Sequence, residues 1–338
     1  MILKNIKYCF LLILLIGFAG TFAQDEPYNG LKVEGRFLID QCGEKVVLRG
    51  VNAFIIYWDW TGEVHYPNIR KSGANCVRIF WATGASAQPY KLDETIQNCI
   101  DHNMIPMVCL WDATGKPFGG EKWKGILDYW TKPKVTNVLK KHEKFLLLNI
   151  ANEVGKNEVT NEEYRSSYKH AIDTLRSVGL RMPLVVDASN WGRAERYILD
   201  NAHFLMDSDP LKNVFFSWHP WDKGTSTDRV DDFFEQAKND EIPIIVGEFS
   251  NEDVFGKPFE DPDIWRHVIK QCHEYENGYL AWWWASKKDS AMHEITKDRI
   301  YGNWANDPWG KAVTEESEYS IKKTSVRPRP IMEKPCKE

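Results

Sequence analysis

Short, nearly unbroken apolar runs recur along the chain at intervals of roughly 30 to 40 residues, each bounded by polar or turn-forming positions. Eight stand out: Val46 to Val51, Asn75 to Phe80, Ile105 to Leu110, Phe145 to Ile150, Leu184 to Val186, Val214 to Trp218, Pro243 to Val246 and Tyr279 to Trp282. Their length and composition read as strands buried on both faces, as in a parallel sheet covered by helices. Between most of them lie stretches long enough for a helix. Lys91 to His102 sets Leu92, Ile96, Cys99 and Ile100 on one stripe, and Glu162 to Val178 does the same with Tyr164, Tyr168, Ile172 and Leu175. Eight β-then-α units predict an α/β fold of the (β/α)8 TIM-barrel type. An open doubly wound sheet would more often carry a glycine-rich phosphate loop after its first strand, and Gly50-Val51-Asn52-Ala53 is no such loop.

The ends of the chain depart from this rhythm. Leu31-Lys32-Val33 and Arg36 to Asp40 bracket Glu34-Gly35, which predicts a short N-terminal β-hairpin. Residues 1–23 have the pattern of a signal peptide: Lys4 and Lys7, then the apolar Tyr8 to Gly20, then Thr21-Phe22-Ala23 as a small-x-small cleavage site. At about 13 residues the apolar stretch is short for a membrane span, which needs about 20. The expected organisation is a leader over 1–23, one barrel domain over 24–320, and a C-terminal tail over 321–338 carrying Lys322, Lys323, Arg327, Arg329 and three prolines. A secreted or periplasmic location follows, with no membrane attachment after cleavage.

Composition narrows the classes further. Of 338 residues 43% are hydrophobic, enough for a sizeable core, and a barrel of this length counts as one domain. A net charge of -5 argues against nucleic acid or an anionic membrane as partner. Setting aside Cys9 in the leader, six cysteines remain: Cys42, Cys76, Cys99, Cys109, Cys272 and Cys336. Export permits them to pair, while Cys76 and Cys109 sit in apolar runs that equally suit buried free thiols. CxxC, CxxxxH and HExxH spacings are missing from the sequence, so neither a metal nor another cofactor is expected.

Two of the apolar runs end in a glutamate: Phe145-Leu146-Leu147-Leu148-Asn149-Ile150-Ala151-Asn152-Glu153 and Ile242-Pro243-Ile244-Ile245-Val246-Gly247-Glu248-Phe249. By strand count they close the fourth and seventh strands, at the barrel face where such folds keep their active sites. Paired carboxylates there are the machinery of glycoside hydrolysis. With Gly35 to Asp40, Val47 to Asn52 and Ser72-Gly73-Ala74-Asn75-Cys76-Val77-Arg78-Ile79, these segments make the chain resemble glycoside hydrolases of clan A, and more narrowly family 5, over roughly Leu31 to Ser286. Asp112-Ala113-Thr114-Gly115 and Val185-Val186-Asp187-Ala188-Ser189-Asn190-Trp191-Gly192 look most like bacterial endo-β-1,4-mannanases.

The resemblance implies a retaining mechanism, with Glu248 as nucleophile and Glu153 as acid/base, needing no cofactor. It also implies a substrate-binding set of Arg78, Asn152, His219, Trp221, Trp282 and Trp111, in which Arg78 favours the ionised form of Glu248 and Asn152 donates to a sugar 2-hydroxyl. Two positions depart from the pattern. Trp221 replaces a tyrosine that would hydrogen-bond the nucleophile, which an indole need not do, and Trp111 stands where mannanases have a histidine. Fifteen tryptophans are many for this length, and Trp58, Trp60, Trp81, Trp111, Trp191 and Trp221 fall near predicted strand ends, with Trp282-Trp283-Trp284 after the eighth strand. Aromatic faces suit pyranose rings, so these are candidate sugar platforms. The expected protein is a monomeric glycosidase acting on a polysaccharide partner: β-mannan, glucomannan or β-glucan. Endo-β-1,4-mannanase is the first reading and endo-β-1,4-glucanase the second. A non-catalytic carbohydrate-binding barrel is the alternative from another class.

Overall fold

A computed structural model describes residues 27–84, 86–285, 293–305 and 308–337, the Trp58 side chain excepted. The leader expected over residues 1–23 and the sugar-platform reading of Trp58 lie outside the described residues. A hairpin of β1 (Lys32–Glu34) and β2 (Phe37–Ile39) opens the described chain. Eight parallel strands follow: β3 (Arg49–Ala53), β4 (Cys76–Trp81), β5 (Ile105–Leu110), β6 (Leu147–Asn149), β7 (Leu184–Asp187), β8 (Val214–Trp218), β9 (Ile244–Val246) and β10 (Gly278–Ala281). Each pairs with the next, and β10 returns to β3 to close the barrel. This is the (β/α)8 architecture that the spacing of the apolar runs predicts.

Alternation along each strand sorts side chains between the barrel interior and the surrounding helices. Outward residues such as Val51, Val77, Val108, Leu148, Val186 and Val246 share one cluster with Leu92 and Ile96 of the helix Pro89–Asp101 and with Tyr164, Tyr168, Ile172 and Leu175 of the helix Asn161–Ser177. Both helices start as their sequences dictate. Pro89 occupies the first turn of one, where its missing N–H leaves nothing unsatisfied, and the Thr160 side chain caps the other by accepting from the Glu163 amide.

The interior is layered. Near the floor it is apolar, with Cys76, Ile105, Met107, Leu147, Val185, Phe215, Ile245 and Leu280 in one cluster that Leu31, Leu38 and Leu48 extend below. One step toward the mouth it turns polar, with Asn52, Arg78, Cys109, Asn149, Asp187 and Ser217 all buried. Polar groups so placed must satisfy one another, and that requirement builds the site.

Residues 321–337, expected as a tail, are strapped to the barrel floor. Ile321 is fully buried, Ile331 joins the interior cluster, and Asn75 Nδ2 donates to the Val326 carbonyl at 2.8 Å. Arg327 Nη2 donates to the carbonyls of Arg70 and Ala74, and a disulfide joins Cys336 to Cys42. Charge and proline content suggested a solvated segment, but two isoleucines and one cysteine anchor it. Cys76, Cys99, Cys109 and Cys272 are buried free thiols. Among the described residues no helix is long and apolar enough to cross a membrane.

Candidate active site

Arg78 is the hub of the polar layer. Its guanidinium is fully buried, so each N–H needs an acceptor, and the strand ends supply them. Nη1 donates to Glu248 Oε1 at 2.5 Å and to Asn52 Oδ1 at 3.2 Å. Nη2 donates to Asn149 Oδ1 at 2.6 Å, Asn152 Oδ1 at 2.8 Å and Asp187 Oδ2 at 3.0 Å, and Nε donates to Asn149 Oδ1 at 2.9 Å. One arginine from β4 thereby ties together the ends of β3, β6, β7 and β9.

Glu153, past the end of β6, has φ 50°, a left-handed conformation uncommon for a residue with a side chain. Two hydrogen bonds hold it: its amide donates to Asp187 Oδ2 at 3.0 Å, and its carbonyl accepts from the Gly115 amide at 2.8 Å. Gly115 closes the segment Asp112-Ala113-Thr114-Gly115. Asp112 is fixed by the Thr83 amide and hydroxyl, and Thr114 Oγ1 accepts from Asn152 Nδ2 at 2.9 Å. The mannanase-like motif after β5 is thus the bracket that seats Asn152 and Glu153.

Glu248, past the end of β9, has a second donor besides Arg78. Trp221 Nε1 donates to its Oε2 at 3.1 Å. The indole therefore makes the kind of bond to this carboxylate that the tyrosine of the family pattern would make. His219, past the end of β8, stands between the two glutamates: Nδ1 is 2.8 Å from Glu153 Oε1 and 3.6 Å from Glu248 Oε1. Its Nε2 is 3.0 Å from Ser217 Oγ.

Burial raises both carboxyls above their ordinary range. For Glu153 the charges of Glu248 and Asp187 add to that rise, and it ends far above. For Glu248 the Arg78 guanidinium and the Trp221 N–H oppose burial, so it is the lower of the two. Two carboxyls this close share protons as a pair, and the first proton belongs to Glu153. Burial, with Arg78 nearby, pushes His219 well below the usual imidazole range, so the ring is neutral. Asp187 is raised by burial and held down by Arg78, the Glu153 amide, Asn149 and Ser217.

Above these groups opens a cleft of about 560 Å³ lined by Phe54, Phe80, Trp111, Thr114, Asn152, Glu153, Trp191, Arg193, Trp221, Glu248, Val254, Phe255, Trp282 and His293. Trp282 meets Trp221 edge-on at 6.0 Å and Phe80 at 5.3 Å, while Trp111 donates from Nε1 to the Tyr57 hydroxyl at 2.9 Å. The sequence-predicted set thus divides. Glu153, Glu248, Asn152, Trp221, Trp282 and Trp111 face the cleft, whereas Arg78 and His219 lie behind the carboxylates. Of the other tryptophans near strand ends Trp191 lines the cleft, but Trp81 is core and Trp60 packs edge-on against Tyr90. β10 ends at Ala281, so Trp282 and Trp284 do not share a face, and Trp284 is buried in the core.

Sequence reasoning passed over Asp187, Ser217 and Thr114 as functional candidates. The usable signal for Asp187 was the one that found the glutamates, an acidic residue closing the apolar run Leu184-Val185-Val186. Glu153, His219 and Glu248 also present acceptor atoms within 4.8 Å of one another, a spacing a metal ion would accept. Those atoms are already engaged by Arg78, Trp221 and each other, and a cation among them would face the guanidinium, so the donor set suits proton transfer rather than a metal.

A closed parallel barrel whose mouth holds two opposed buried carboxyls beneath an aromatic cleft defines a glycosidase, a hydrolase of O-glycosyl bonds. Residues 39–290 match the family described as Cellulase (glycosyl hydrolase family 5), and the chain belongs to that family. It is 29% identical over 288 residues to a mannan endo-1,4-β-mannosidase of Salipaludibacillus agaradhaerens, covering 84% of this chain and 90% of that one. A mannan endo-1,4-β-mannosidase of Streptomyces lividans is 30% identical over 281 residues, covering 80% of this chain and 71% of its own. The β-mannanase of Thermomonospora fusca, solved as a mannohexaose complex, superposes with a TM-score of 0.78 at 25% identity, over 90% of this chain and all of that one.

Proposed function

We propose that the protein is an exported, retaining endo-β-1,4-mannanase. The observation that carries the retaining mechanism is the approach of Glu153, His219 and Glu248, whose acceptor atoms lie within 4.8 Å of one another. Retaining glycosidases keep their carboxyls ~5–5.5 Å apart, whereas inverting ones leave ~6.5–9.5 Å for a water. The ionised Glu248 attacks the anomeric carbon as the bond to the leaving oxygen breaks, and Glu153 passes its proton to that oxygen. In the second step Glu153 takes a proton from water, the hydroxide oxygen bonds the anomeric carbon, and the bond to Glu248 breaks. Asn152 retains an N–H beyond the one given to Thr114 and offers it to the sugar 2-hydroxyl. Trp282 and Trp111 supply ring-stacking surface, and Arg78 and His219 act through the carboxylates. Both carboxylates come from one chain, so a monomer is sufficient.

Mannan as substrate is supported by the names of the relatives and by the mannohexaose that one of them binds. Export is supported by the disulfide Cys42–Cys336, which suits an oxidising compartment, together with the leader-like first residues. A second reading, β-1,4-glucan hydrolysis, is favoured by the cellulase description of the family itself. Assays of the purified protein on mannan, glucomannan and carboxymethylcellulose separate the two. Release of reducing ends from mannan, reduced by at least ~10³-fold in Glu248→Gln, is the expected result. Hydrolysis of carboxymethylcellulose in place of mannan would replace the first reading with the second. Carbohydrate binding with no hydrolysis, unchanged in Glu248→Gln, would sink both.

A further inference from the structure

The cleft has two sides of different chemistry. Glu153 follows β6 and Glu248 follows β9, so the line joining them divides the ring of strands. On one side the loops after β10, β3, β4 and β5 supply Trp282, Phe54, Phe80 and Trp111. These rings touch one another: Phe54 stacks on Phe80 at 4.5 Å and meets Trp111 edge-on at 5.1 Å and Trp282 at 5.6 Å. On the other side the loops after β7 and β8 supply Trp191, Arg193 and Trp221. Arg193 is the only arginine or lysine among the described residues that line the cleft.

A strained turn sets Arg193 there. Asn190, Trp191 and Gly192 have φ of 55°, 54° and 72°. Glycine adopts this left-handed region freely and asparagine tolerates it, but a tryptophan does so only when its surroundings hold it. They do. The Trp191 amide donates to the Gly155 carbonyl at 3.3 Å and the His219 amide to the Gly192 carbonyl at 2.8 Å. Trp218 Nε1 and Arg229 Nη2 both donate to the Arg193 carbonyl at 2.9 Å. The guanidinium is held as well, lying over the Trp191 ring 5.3 Å from its centre. Its Nε donates to the Asn190 carbonyl at 3.1 Å and Nη2 to Asn190 Oδ1 at 3.2 Å, while Nη1 stands 3.1 Å from Asp222 Oδ1. Each terminal nitrogen carries two hydrogens and gives one to these partners, so each keeps a second. With 23% of the side chain exposed in the cleft, those second hydrogens are what Arg193 offers a ligand.

The ligand need not be anionic. Asp222 and Glu195 pair with Arg193 and Arg229, so two carboxylates balance two guanidinium groups. What remains is a rigid two-pronged donor edge, which suits acceptors on adjacent atoms, as the neighbouring ring hydroxyls of a pyranose are. We propose that Arg193 binds the leaving part of the polysaccharide chain, donating to ring hydroxyls of a sugar beyond the scissile bond, while the part attacked by Glu248 lies along the aromatic side. Placement around the barrel gives this direction. Trp282 follows β10, beside β9 and its Glu248, and runs into the aromatic side, so that side suits the sugar under attack and those before it. Arg193 follows β7, beside β6 and its Glu153, which protonates the leaving oxygen. The inference rests on the proposed glycosidase reading, with Glu153 as acid/base.

A substrate with no leaving sugar isolates this contact. On the full chain, kcat/KM is measured for mannohexaose and for a nitrophenyl β-mannobioside, whose leaving group is an aryl alcohol. In Arg193→Met the ratio of the first to the second is expected to fall about tenfold, the size of one or two lost hydrogen bonds to neutral hydroxyls. An unchanged ratio overturns the proposal. So does an equal fall on both substrates, which is what a merely structural arginine would give. If Arg193→Met does not fold, Arg193→Lys carries the same test, since it keeps the charge opposite Asp222 but not the fork. Cleavage of cello-oligosaccharides in place of manno-oligosaccharides would overturn the mannan reading alone, and the ratio is then read with cellohexaose and a nitrophenyl β-cellobioside. A chain that hydrolyses none of these refutes the proposed function. Calorimetry then decides the binding role: affinity for mannohexaose lowered about tenfold in Arg193→Met upholds it, and unchanged affinity overturns it.

Discussion

Trp221 shows how far a single side chain sets the charge state of its neighbour. Its N–H contacts Glu248 Oε2 and so stabilises the carboxylate over the carboxyl. Trp221→Phe keeps most of the aromatic contact with Trp282 and removes only the donor. Because the lost bond favoured the ionised form, Glu248 will hold its proton to higher pH, and the acid limb of kcat/KM will move upward while the basic limb stays. A fall in kcat of about tenfold at neutral pH, from one lost hydrogen bond to a charged group, is the expected size. Steady-state kinetics across pH check this, and an unmoved acid limb would mean that Arg78 alone sets the nucleophile. The acid limb is thus assigned to the wall of the site that carries Trp221 and Glu248.

At the scale of elements, closure of the barrel depends on how closely the strands approach. A Cβ on Gly50 of β3 would fall 1.9 Å from the Cys76 carbonyl oxygen of β4, a backbone atom that cannot swing aside. Gly50→Ala is therefore expected to destabilise by more than the ~1–3 kcal/mol of ordinary overpacking, read as a lower denaturation midpoint. The strands themselves were legible because a strand buried on both faces has no polar positions to disguise it. Their exact ends were less so: the run Phe145 to Ile150 contains β6 (Leu147–Asn149), because Phe145 still closes the turn after the preceding helix by donating to the His142 carbonyl. Glu153 and Glu248 were visible since each breaks an apolar run at its end. Ser217 and Asn149 were not, because a single polar residue within such a run looks the same whether it faces a helix or the interior. The bond from Trp221 to Glu248 spans 27 residues and depends on how two strand-end loops fold back, which no local pattern encodes.

For the whole molecule, the last residues finish the barrel rather than trail from it. The Cys42–Cys336 disulfide closes a loop spanning 294 residues, so it restricts nearly the entire unfolded chain. Replacing both cysteines by serine is expected to cost ~2–4 kcal/mol and lower the midpoint of thermal unfolding by about 3–6 °C. Activity at room temperature should be unaffected, because the disulfide lies at the floor and the carboxylates at the mouth. Differential scanning calorimetry, with and without reductant, reads the first effect, and an unchanged midpoint would show that the strap holds by its apolar and backbone contacts alone. The strap also orients the particle. Lys337 pairs with Glu44 beside the Cys42–Cys336 disulfide at the floor, on the pole opposite the cleft, so a support attached through it stands behind the barrel. An enzyme tethered through residue 337 would turn its open side outward, toward an insoluble polymer too large to diffuse to it.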